Sequence, residues 1–196
     1  MSGFHTLKGR IAVYNEDNVD TDRIIPARFL SMVTRSGYGE LAFKDVRGEG
    51  FPLDHPDAAG AEILVAGTNF GCGSSREHAV WAIQQAGYRT IIARRTDTSP
   101  GYSDIFRQNA ANCGLLLVEL PDEDHRHLVE AGHGAEVIVD LPNQKVKVDG
   151  REFSFEISAA TKEQMMAGLD LIGTTMVYEP QIAAYEANDA TYVPRA

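Results

Sequence analysis

Cysteine is nearly absent from this chain of 196 residues, which contains only Cys72 and Cys113. Two thiols cannot by themselves supply the four ligands that an iron–sulfur cluster or a structural zinc site normally requires. A disulfide between them is not expected in a reducing cytosol. We interpret Cys113, at the end of an apolar helix, as a core residue, because free cysteines are mostly buried. Cys72 lies among glycines, and we interpret it as a small residue that fits a tight loop rather than as a nucleophile.

The sequence also lacks a long apolar run and an excess of basic residues. No stretch approaches the roughly 18 apolar residues of a membrane span, and the N-terminal segment has no apolar signal core. We therefore expect a cytoplasmic protein without a membrane partner. Lysine and arginine number 18 against 28 acidic residues, a formal net charge of −10. Nucleic-acid binding needs concentrated positive charge, so no such partner is expected, although Arg94 and Arg95 leave open a local basic patch.

What the sequence does contain is enough apolar residues for one core. Hydrophobic residues make up 43% of the chain, and we expect a single domain over residues 1–196. Strands alternate with helices first and follow one another later, which predicts an α/β fold with βαβ units and a later antiparallel part in one mixed sheet. The predicted strands are 10–14, 61–66, 88–93, 115–120, 136–140, 145–148 and 153–157, and the predicted helices are 75–86, 102–112, 122–131, 160–167 and 180–186.

Two segments are predicted to lack regular structure. Residues 31–60 show no periodicity and carry several glycines and prolines, and long irregular segments inside compact domains are usually functional or disordered. Leu30, Met32 and Val33, around the start of this segment, either line a pocket or belong to the core. The tail, residues 187–196, is expected to be held loosely.

The most informative motif is GTNFGCGSSREHA, residues 67–79, which joins the predicted strand 61–66 to the predicted helix 75–86. We call residues 67–76 the glycine loop. Glycines allow tight turns that expose backbone N–H groups, and a helix N-terminus adds unpaired donors with a partial positive charge. The motif therefore predicts an anion-binding site.

Three side chains of the glycine loop add chemistry to that site. Arg76 can grip a carboxylate through two hydrogen bonds, while Ser74 and Ser75 bring hydroxyls that suit acid or base work on a small acidic substrate. A structural alternative is a capping box, in which Ser74 caps the helix and Glu77 reaches back to it. The two interpretations are compatible, because an anion site at a helix start still needs a cap.

A second cluster, NVDTD at residues 18–22, is called the acidic turn below. Calcium-binding loops need more oxygens at wider spacing than its two carboxylates provide. The simplest interpretation is a turn stabilised by hydrogen bonds from Asp and Asn side chains. The alternative is that one aspartate orients a basic or hydroxyl group in an active site.

Read together, four segments resemble a known family. They are NVDTDRIIPARFL, GTNFGCGSSREHA, SDIFRQNAANCGLL, and GLDLIGTTM followed by AAYE. The resemblance covers nearly the whole chain, from about Leu7 to Glu186. The family is that of 3-isopropylmalate dehydratase small subunits, which are similar to the swivelling C-terminal domain of aconitase.

The resemblance implies a hydro-lyase assembled from two proteins as a heterodimer or heterotetramer. A large subunit holds a [4Fe–4S] cluster on its own cysteines, and the small subunit binds no metal or cofactor and is inactive alone. The substrate is a small dicarboxylate: 2-isopropylmalate and 3-isopropylmalate are interconverted through a dehydrated alkene in leucine biosynthesis.

The resemblance also implies roles for individual residues. Ser74, as an alkoxide, takes a proton from the substrate; Arg76 stabilises that alkoxide and binds a substrate carboxylate; and Asp22 orients both. The residues expected to contact the substrate are Gly73, Ser75 and Arg35. For Arg35 the alternative is a solvated loop charge.

One departure from the family pattern affects the choice of substrate. Residues 94–101 (RRTDTSPG) look like an insertion after a parallel strand, at the end where α/β sheets bind ligands. This leaves two alternatives: a related hydro-lyase acting on homoaconitate, citraconate or a dimethylmalate, and a non-catalytic carboxylate- or RNA-binding module.

Overall fold

Seven strands form one mixed sheet in the computed structural model, which describes residues 3–188. The strand order across the sheet is β4-β3-β2-β1-β5-β6-β7. The strands are β1 (Thr6–Tyr14), β2 (Ile63–Ala66), β3 (Thr90–Arg95), β4 (Leu116–Pro121), β5 (Glu136–Asp140), β6 (Lys145–Val148) and β7 (Arg151–Ser154). The prediction of an α/β fold with a mixed sheet is confirmed.

Strand β1 joins the parallel and antiparallel parts of the sheet. Its second half pairs with β2 in parallel, from Ile11 opposite Ile63 to Tyr14 opposite Ala66. Its first half pairs with β5 in the antiparallel direction, with Gly9 opposite Val137. Strands β2, β3 and β4 continue the parallel part, and β5, β6 and β7 form an antiparallel meander.

The sheet separates two hydrophobic cores. In β2 all four residues are buried, as expected for a central strand of a parallel sheet covered on both faces. Alternate residues of β2 point to opposite faces, so Leu64 belongs to one core and Ile63 to the other. The helices are α1 (Thr21–Ile24), α2 (Glu77–Gln85), α3 (Asp104–Cys113), α4 (Asp122–Ala131), α5 (Ala159–Ala167), α6 (Leu171–Met176) and α7 (Glu179–Asn188). Helices α2 and α3 pack in the first core, whereas α4 and α5 pack in the second.

The irregular segment 31–60 is folded without long elements. It contains short 3-10 turns at Gly39–Leu41, Pro52–Asp54 and Pro56–Ala58. Its aromatic residues Tyr38, Phe43 and Phe51 are buried in the first core. The segment therefore covers one face of the sheet with side chains rather than with a helix.

The three apolar residues around the start of this segment, predicted either to line a pocket or to belong to the core, differ in their burial. Leu30 and Met32 are partly buried and pack against the first core, which favours a core role. Val33 is fully exposed and belongs neither to the core nor to an enclosed pocket.

Several boundaries near the chain ends differ from the predictions. The last strand is Arg151–Ser154 rather than 153–157. Helix α6 was not predicted, because its six residues are too few for periodicity to be visible. Ala187 and Asn188 continue α7, and residues 189–196 of the expected tail lie outside the described residues. None of the helices in residues 3–188 is long and apolar enough to cross a membrane.

His125 on α4 makes the stability of the fold sensitive to acid. Its side chain is buried, and burial lowers its pKa from 6.5 to about 4, although backbone groups of Ala66 and Ile92 favour the charged ring. Between these two pKa values the unfolded chain binds a proton that the folded chain excludes, so stability falls as the pH falls. The full shift corresponds to about 3 kcal/mol.

We expect His125→Gln to reduce this acid sensitivity. Urea unfolding of the original chain and the variant between pH 7 and pH 5 measures it, in a range above the ordinary pKa values of carboxyl groups. A loss of stability equal in both proteins over that range would contradict the assignment to His125.

Candidate active site

The acidic turn and the glycine loop lie side by side. The Gly71 N–H donates to the Val19 carbonyl at 2.7 Å, and the Thr21 N–H donates to the Cys72 carbonyl at 2.9 Å. The Thr21 hydroxyl donates to the Ser74 carbonyl, also at 2.9 Å. Thr21 is buried, so these bonds are shielded from water and hold the two motifs together.

The acidic turn and the glycine loop lie at the edge of the sheet where ligands bind in α/β proteins. The acidic turn follows the end of β1, and the glycine loop follows the end of β2, which runs parallel to it. The carboxyl ends of parallel strands form the usual ligand-binding edge of such sheets. The two motifs predicted to carry chemistry therefore meet at that edge.

Two glycines give the loop its shape. Gly71 and Gly73 have φ angles of 74° and 88°, in the left-handed region that residues with a side chain rarely adopt. Gly71 also lies directly against the ring of the buried Phe106, leaving no room for a Cβ atom. The predicted use of glycine for tight turning is confirmed at both positions.

The serines precede helix α2 instead of beginning it. The helix begins at Glu77, later than predicted, with Arg76 in an extended conformation at its N-cap. No side chain of the described residues caps α2, so the predicted capping box of Ser74 and Glu77 is wrong. Because no side chain among residues 3–188 caps the helix, the first N–H groups of α2 are left available to an anion.

Ser74 and Ser75 are both exposed at this edge. The Ser75 hydroxyl accepts a long hydrogen bond of 3.5 Å from the Asn109 side-chain amide on α3. Sequence reasoning gave no sign of Asn109, because its link to Ser75 depends on how α3 packs beside the loop.

Arg76 and Asp22 bring the two motifs together electrostatically. Arg76 Nη1 forms a close ion pair with Asp22 Oδ1. The arginine side chain is 13% exposed and the aspartate 55%, so the pair runs from a buried cation to a carboxylate at the surface. The contact is a charge contact, since Arg76 Nη1 has no hydrogen-bond partner among the described residues. The structure thus places the predicted Asp22 beside the predicted Arg76.

A second ion-pair network holds the base of the glycine loop. Both carboxylate oxygens of Asp17 accept from Arg94 Nη2 at 2.8 Å, and Asp17 Oδ1 accepts from the Thr68 N–H at 2.7 Å. Although burial raises the pKa of Asp17, the hydrogen bonds from Thr68 and Arg94 hold it below its usual value. Arg94 also pairs with Asp122 at 3.0 Å. Because its charge is shared between two carboxylates, Arg94 does not supply the basic patch that the sequence left open.

The segment 94–101, which we predicted to be an insertion, contacts the glycine loop directly. Strand β3 includes its first two residues, and the rest forms a loop at the same edge of the sheet. The Asn69 and Phe70 N–H groups donate to the Pro100 and Gly101 carbonyls, each at 2.8 Å. Residues 94–101 therefore help to shape the backbone of the loop that carries Ser74.

Arg35 does not contact this group of residues. Its guanidinium stacks on the Trp81 ring of α2, 5.0 Å from the ring centre, and its carbonyl accepts from Gln85 at 2.7 Å. The residue is exposed, which is what the alternative of a solvated loop charge predicts.

Comparison with known proteins identifies the family of the chain. The sequence matches the family described as Aconitase C-terminal domain over residues 1–123, and the one described as LeuD_N over residues 126–159. The "3-isopropylmalate dehydratase small subunit" of Bacillus cereus (strain 03BB102) is 41% identical over 199 residues, covering 98% of this chain and all of that relative. The protein of the same name from Shewanella amazonensis is 45% identical over 200 residues, covering 95% and 96%.

The chain belongs to the family of 3-isopropylmalate dehydratase small subunits.

A solved structure shows the same fold within this family. The 3-isopropylmalate dehydratase (leuD) of Methanocaldococcus jannaschii superimposes with a TM-score of 0.67 at 28% identity, covering 92% of this chain and 99% of that one. The resemblance seen in the four sequence segments is thus confirmed for both family and fold.

The cysteines of this small-subunit family member are not set up as nucleophiles. Both are free thiols. Burial and the nearby Asp20 raise the pKa of Cys72, and burial and Glu77 raise the pKa of Cys113 to about 12. Thiols with raised pKa values stay protonated and unreactive near neutral pH, which agrees with the structural roles predicted for them.

Proposed function

We propose that this chain is the small subunit of a 3-isopropylmalate dehydratase and that Ser74, Arg76 and Asp22 are its contribution to the active site. The enzyme interconverts 2-isopropylmalate and 3-isopropylmalate by removing and re-adding water, a step of leucine biosynthesis. The single observation that best supports this assignment is the buried Arg76, paired with Asp22, beside the exposed Ser74 at the uncapped start of α2.

The reaction makes a specific demand on the protein. Dehydration removes a proton from the carbon next to one carboxylate and expels hydroxide from the neighbouring carbon, leaving the alkene isopropylmaleate. Water then adds in the opposite orientation. Proton removal places a second negative charge next to an existing carboxylate, and preorganised positive groups are needed to stabilise it.

Ser74 is the proposed base. A serine hydroxyl is a weak base in water, so its alkoxide must be stabilised by neighbouring donors. The free N–H groups at the start of α2 and the Arg76 guanidinium both follow Ser74 closely in sequence and supply such donors. Ser74 then returns the proton when water adds to the alkene.

Arg76 is proposed to bind a substrate carboxylate and Asp22 to hold Arg76 in place. Most of the arginine is buried, so the ion pair restricts the direction in which the guanidinium presents its remaining donors. Gly73 allows the substrate to approach the backbone, and Ser75, positioned by Asn109, offers a further hydroxyl.

Arg35 is proposed as the second arginine for a substrate carboxylate. It stacks on Trp81, which lies one turn after Glu77 and so about 6 Å along α2 from its N-terminus. This role requires the guanidinium to leave Trp81 and turn toward that end of the helix.

The partner is proposed to be a large subunit that carries the [4Fe–4S] cluster. An iron–sulfur cluster is usually held by four Cys thiolates, and this chain has two cysteines. Among residues 3–188 no group of three or more His, Cys, Asp or Glu side chains is placed to hold a metal ion. When bound by the large subunit, the cluster supplies the Lewis acid that assists departure of the hydroxyl group. The assembly would contain one copy of each subunit as a heterodimer, or two copies of each as a heterotetramer.

A substrate panel on the assembled enzyme tests this function. With the large subunit of the same organism, the chain is expected to support hydration of isopropylmaleate with a kcat/KM at least about 10-fold above that for citraconate, since pocket contacts with a few methyl groups are worth that much. The panel also includes the substrates of the homoaconitate and dimethylmalate reactions. A preference for one of these would point to a related hydro-lyase, with the inserted segment at the glycine loop as the structural reason. Full activity of the isolated chain would contradict the proposal.

A further inference from the structure

The last two helices carry most of the exposed large apolar side chains in the part of the chain that the structure describes. We call residues 171–188, which contain α6 and α7, the C-terminal arm. Outside the arm, only Val33 and Ile105 among residues 3–188 are large, apolar and exposed. The exposed apolar residues of the arm are Leu171, Ile172, Met176, Val177, Tyr178, Ile182 and Tyr185, with exposed fractions from 40% to 72%.

The arm buries almost nothing against the rest of the chain. Helix α6 has no buried residue, and residues 174–187 are exposed throughout. Isolated helices of fewer than about 12 residues are only marginally stable in water, since most helical stability in proteins comes from packing. Helices as short as α6 and α7 therefore need another surface to cover them.

The apolar residues of α7 form a stripe that another protein can cover. Tyr178, Ile182 and Tyr185 follow the i, i+4, i+7 spacing of one helix face, and the Ile182 N–H donates to the Tyr178 carbonyl at 2.9 Å. Exposed apolar surface on the order of several hundred Å² marks an interaction site, whereas scattered single residues do not.

The base of the arm adjoins the proposed active site. The Leu171 N–H donates to the Asn112 side chain on α3 at 3.2 Å, and Asn109, one turn earlier, donates to Ser75. Ile105, 38% exposed, lies one turn before that on the same side of α3. A protein that covers the open site at Ser74 therefore extends along α3 onto the arm.

A groove at the base of the arm continues this surface. It has a volume of about 920 Å³ and lies between α3, β4, α5 and Leu171. Leu115, Leu117 and Met165 supply apolar walls, while Arg107 and Glu119 supply charged ones. Side chains of a docking protein can be received here without any movement of the sheet.

Charge decides between a second copy of this chain and a different protein. Residues 171–188 contain Glu179 and Glu186 but no lysine, arginine or histidine, and the whole chain has a formal net charge of −10. A second copy would bring acidic surface against acidic surface, which disfavours association. A partner with an apolar groove flanked by basic residues fits the arm better.

We infer that the C-terminal arm is the docking element for the large subunit, binding an apolar groove with basic edges in a surface that is continuous with the active site. The inference rests on the proposed function, because the occupant is the large subunit. Ile172, Tyr178 and Tyr185 are the contacts expected to matter most, since large apolar and aromatic side chains dominate binding energy at interfaces.

The test replaces those three residues in the full-length chain, as I172Q/Y178Q/Y185Q. All three are exposed, so the fold of the body should be preserved. The Kd for the large subunit, and the large-subunit concentration that gives half-maximal activity, are expected to rise about 100-fold. The matched control E123Q/E130Q changes exposed residues of α4, in the other core layer, and is expected to bind as the original chain does. An unchanged Kd for the triple variant would overturn the inference.

Further measurements separate this inference from the proposed function. Ser74→Ala is expected to bind the large subunit normally while losing activity, and an original chain that neither binds nor activates the large subunit would refute the function itself. Hydrogen exchange of residues 171–188 should be fast in the free chain and slow in the complex, and equal exchange would count against docking. Sedimentation of the chain alone tests whether the arm instead binds a second copy of the chain. If the original chain is a dimer, the triple variant is a monomer, and both bind the large subunit equally well, the arm would be assigned to a second copy.

Discussion

Replacing Ser74 with alanine is expected to lower kcat of the assembled enzyme by about 10³-fold, the range that a positioned general base contributes. The substitution removes the hydroxyl proposed to carry the proton and leaves the backbone in place, because Thr21 binds the Ser74 carbonyl rather than its side chain. KM should change little, since the substrate carboxylate is bound by Arg76. Steady-state hydration of isopropylmaleate with saturating large subunit measures both constants.

Two control variants test whether the loss of kcat is due to the missing base. Ser154→Ala, on the edge strand β7, should have no effect on kcat. Ser75→Ala should cost about 10-fold, as expected for a supporting hydrogen bond worth roughly 1.4 kcal/mol. Gel filtration should show that each variant still assembles with the large subunit. A near-normal kcat for Ser74→Ala would remove this serine from the base role.

The second large effect is on stability. Gly71→Ala is expected to lower the free energy of unfolding by about 3 kcal/mol, because two penalties combine at this position. The backbone has a φ of 74°, which disfavours any residue with a side chain. An added Cβ would also overlap the buried Phe106 ring, and overpacking a core is itself costly.

Urea unfolding measures this loss, with Gly48→Ala as the matched control. A Cβ at Gly48 would have no neighbour within 4 Å, and its φ is not positive, so that variant should be as stable as the original chain. Equal stability of the two variants would mean that the glycine loop can relax around a side chain. It would then be a poor candidate for a preorganised anion site.

The sequence predicted best those elements whose apolar residues repeat with a clear period. The hairpin of β5 and β6 and the helix α4 begin and end at the predicted residues. Helix α2 begins later than predicted because Arg76 is extended at its N-cap, where it pairs with Asp22 of the acidic turn, instead of completing a helical turn. Helix α6 escaped prediction because it has only six residues and none of them is buried, so no apolar periodicity marks its sequence.

The candidate site was predictable in its parts but not in its assembly. The family resemblance pointed to Ser74, Arg76 and Asp22, and the structure places them together. Nothing local in the sequence indicated that Thr21 would tie the acidic turn to the glycine loop, since that bond joins residues 53 positions apart in the chain. The same is true of Arg94: its neighbours suggested a basic patch, whereas Asp17, far away in sequence, neutralises it.

The double pairing of β1 has a consequence for how the chain is made. The second half of β1 can pair with β2 early in synthesis. The first half, which includes Gly9, stays unpaired until β5 with Val137 has been synthesised. Until then the nascent protein presents a bare strand edge, the kind of surface through which unfinished chains stick to one another. Chaperone binding to ribosome-bound fragments should therefore persist until β5 has emerged and then fall sharply.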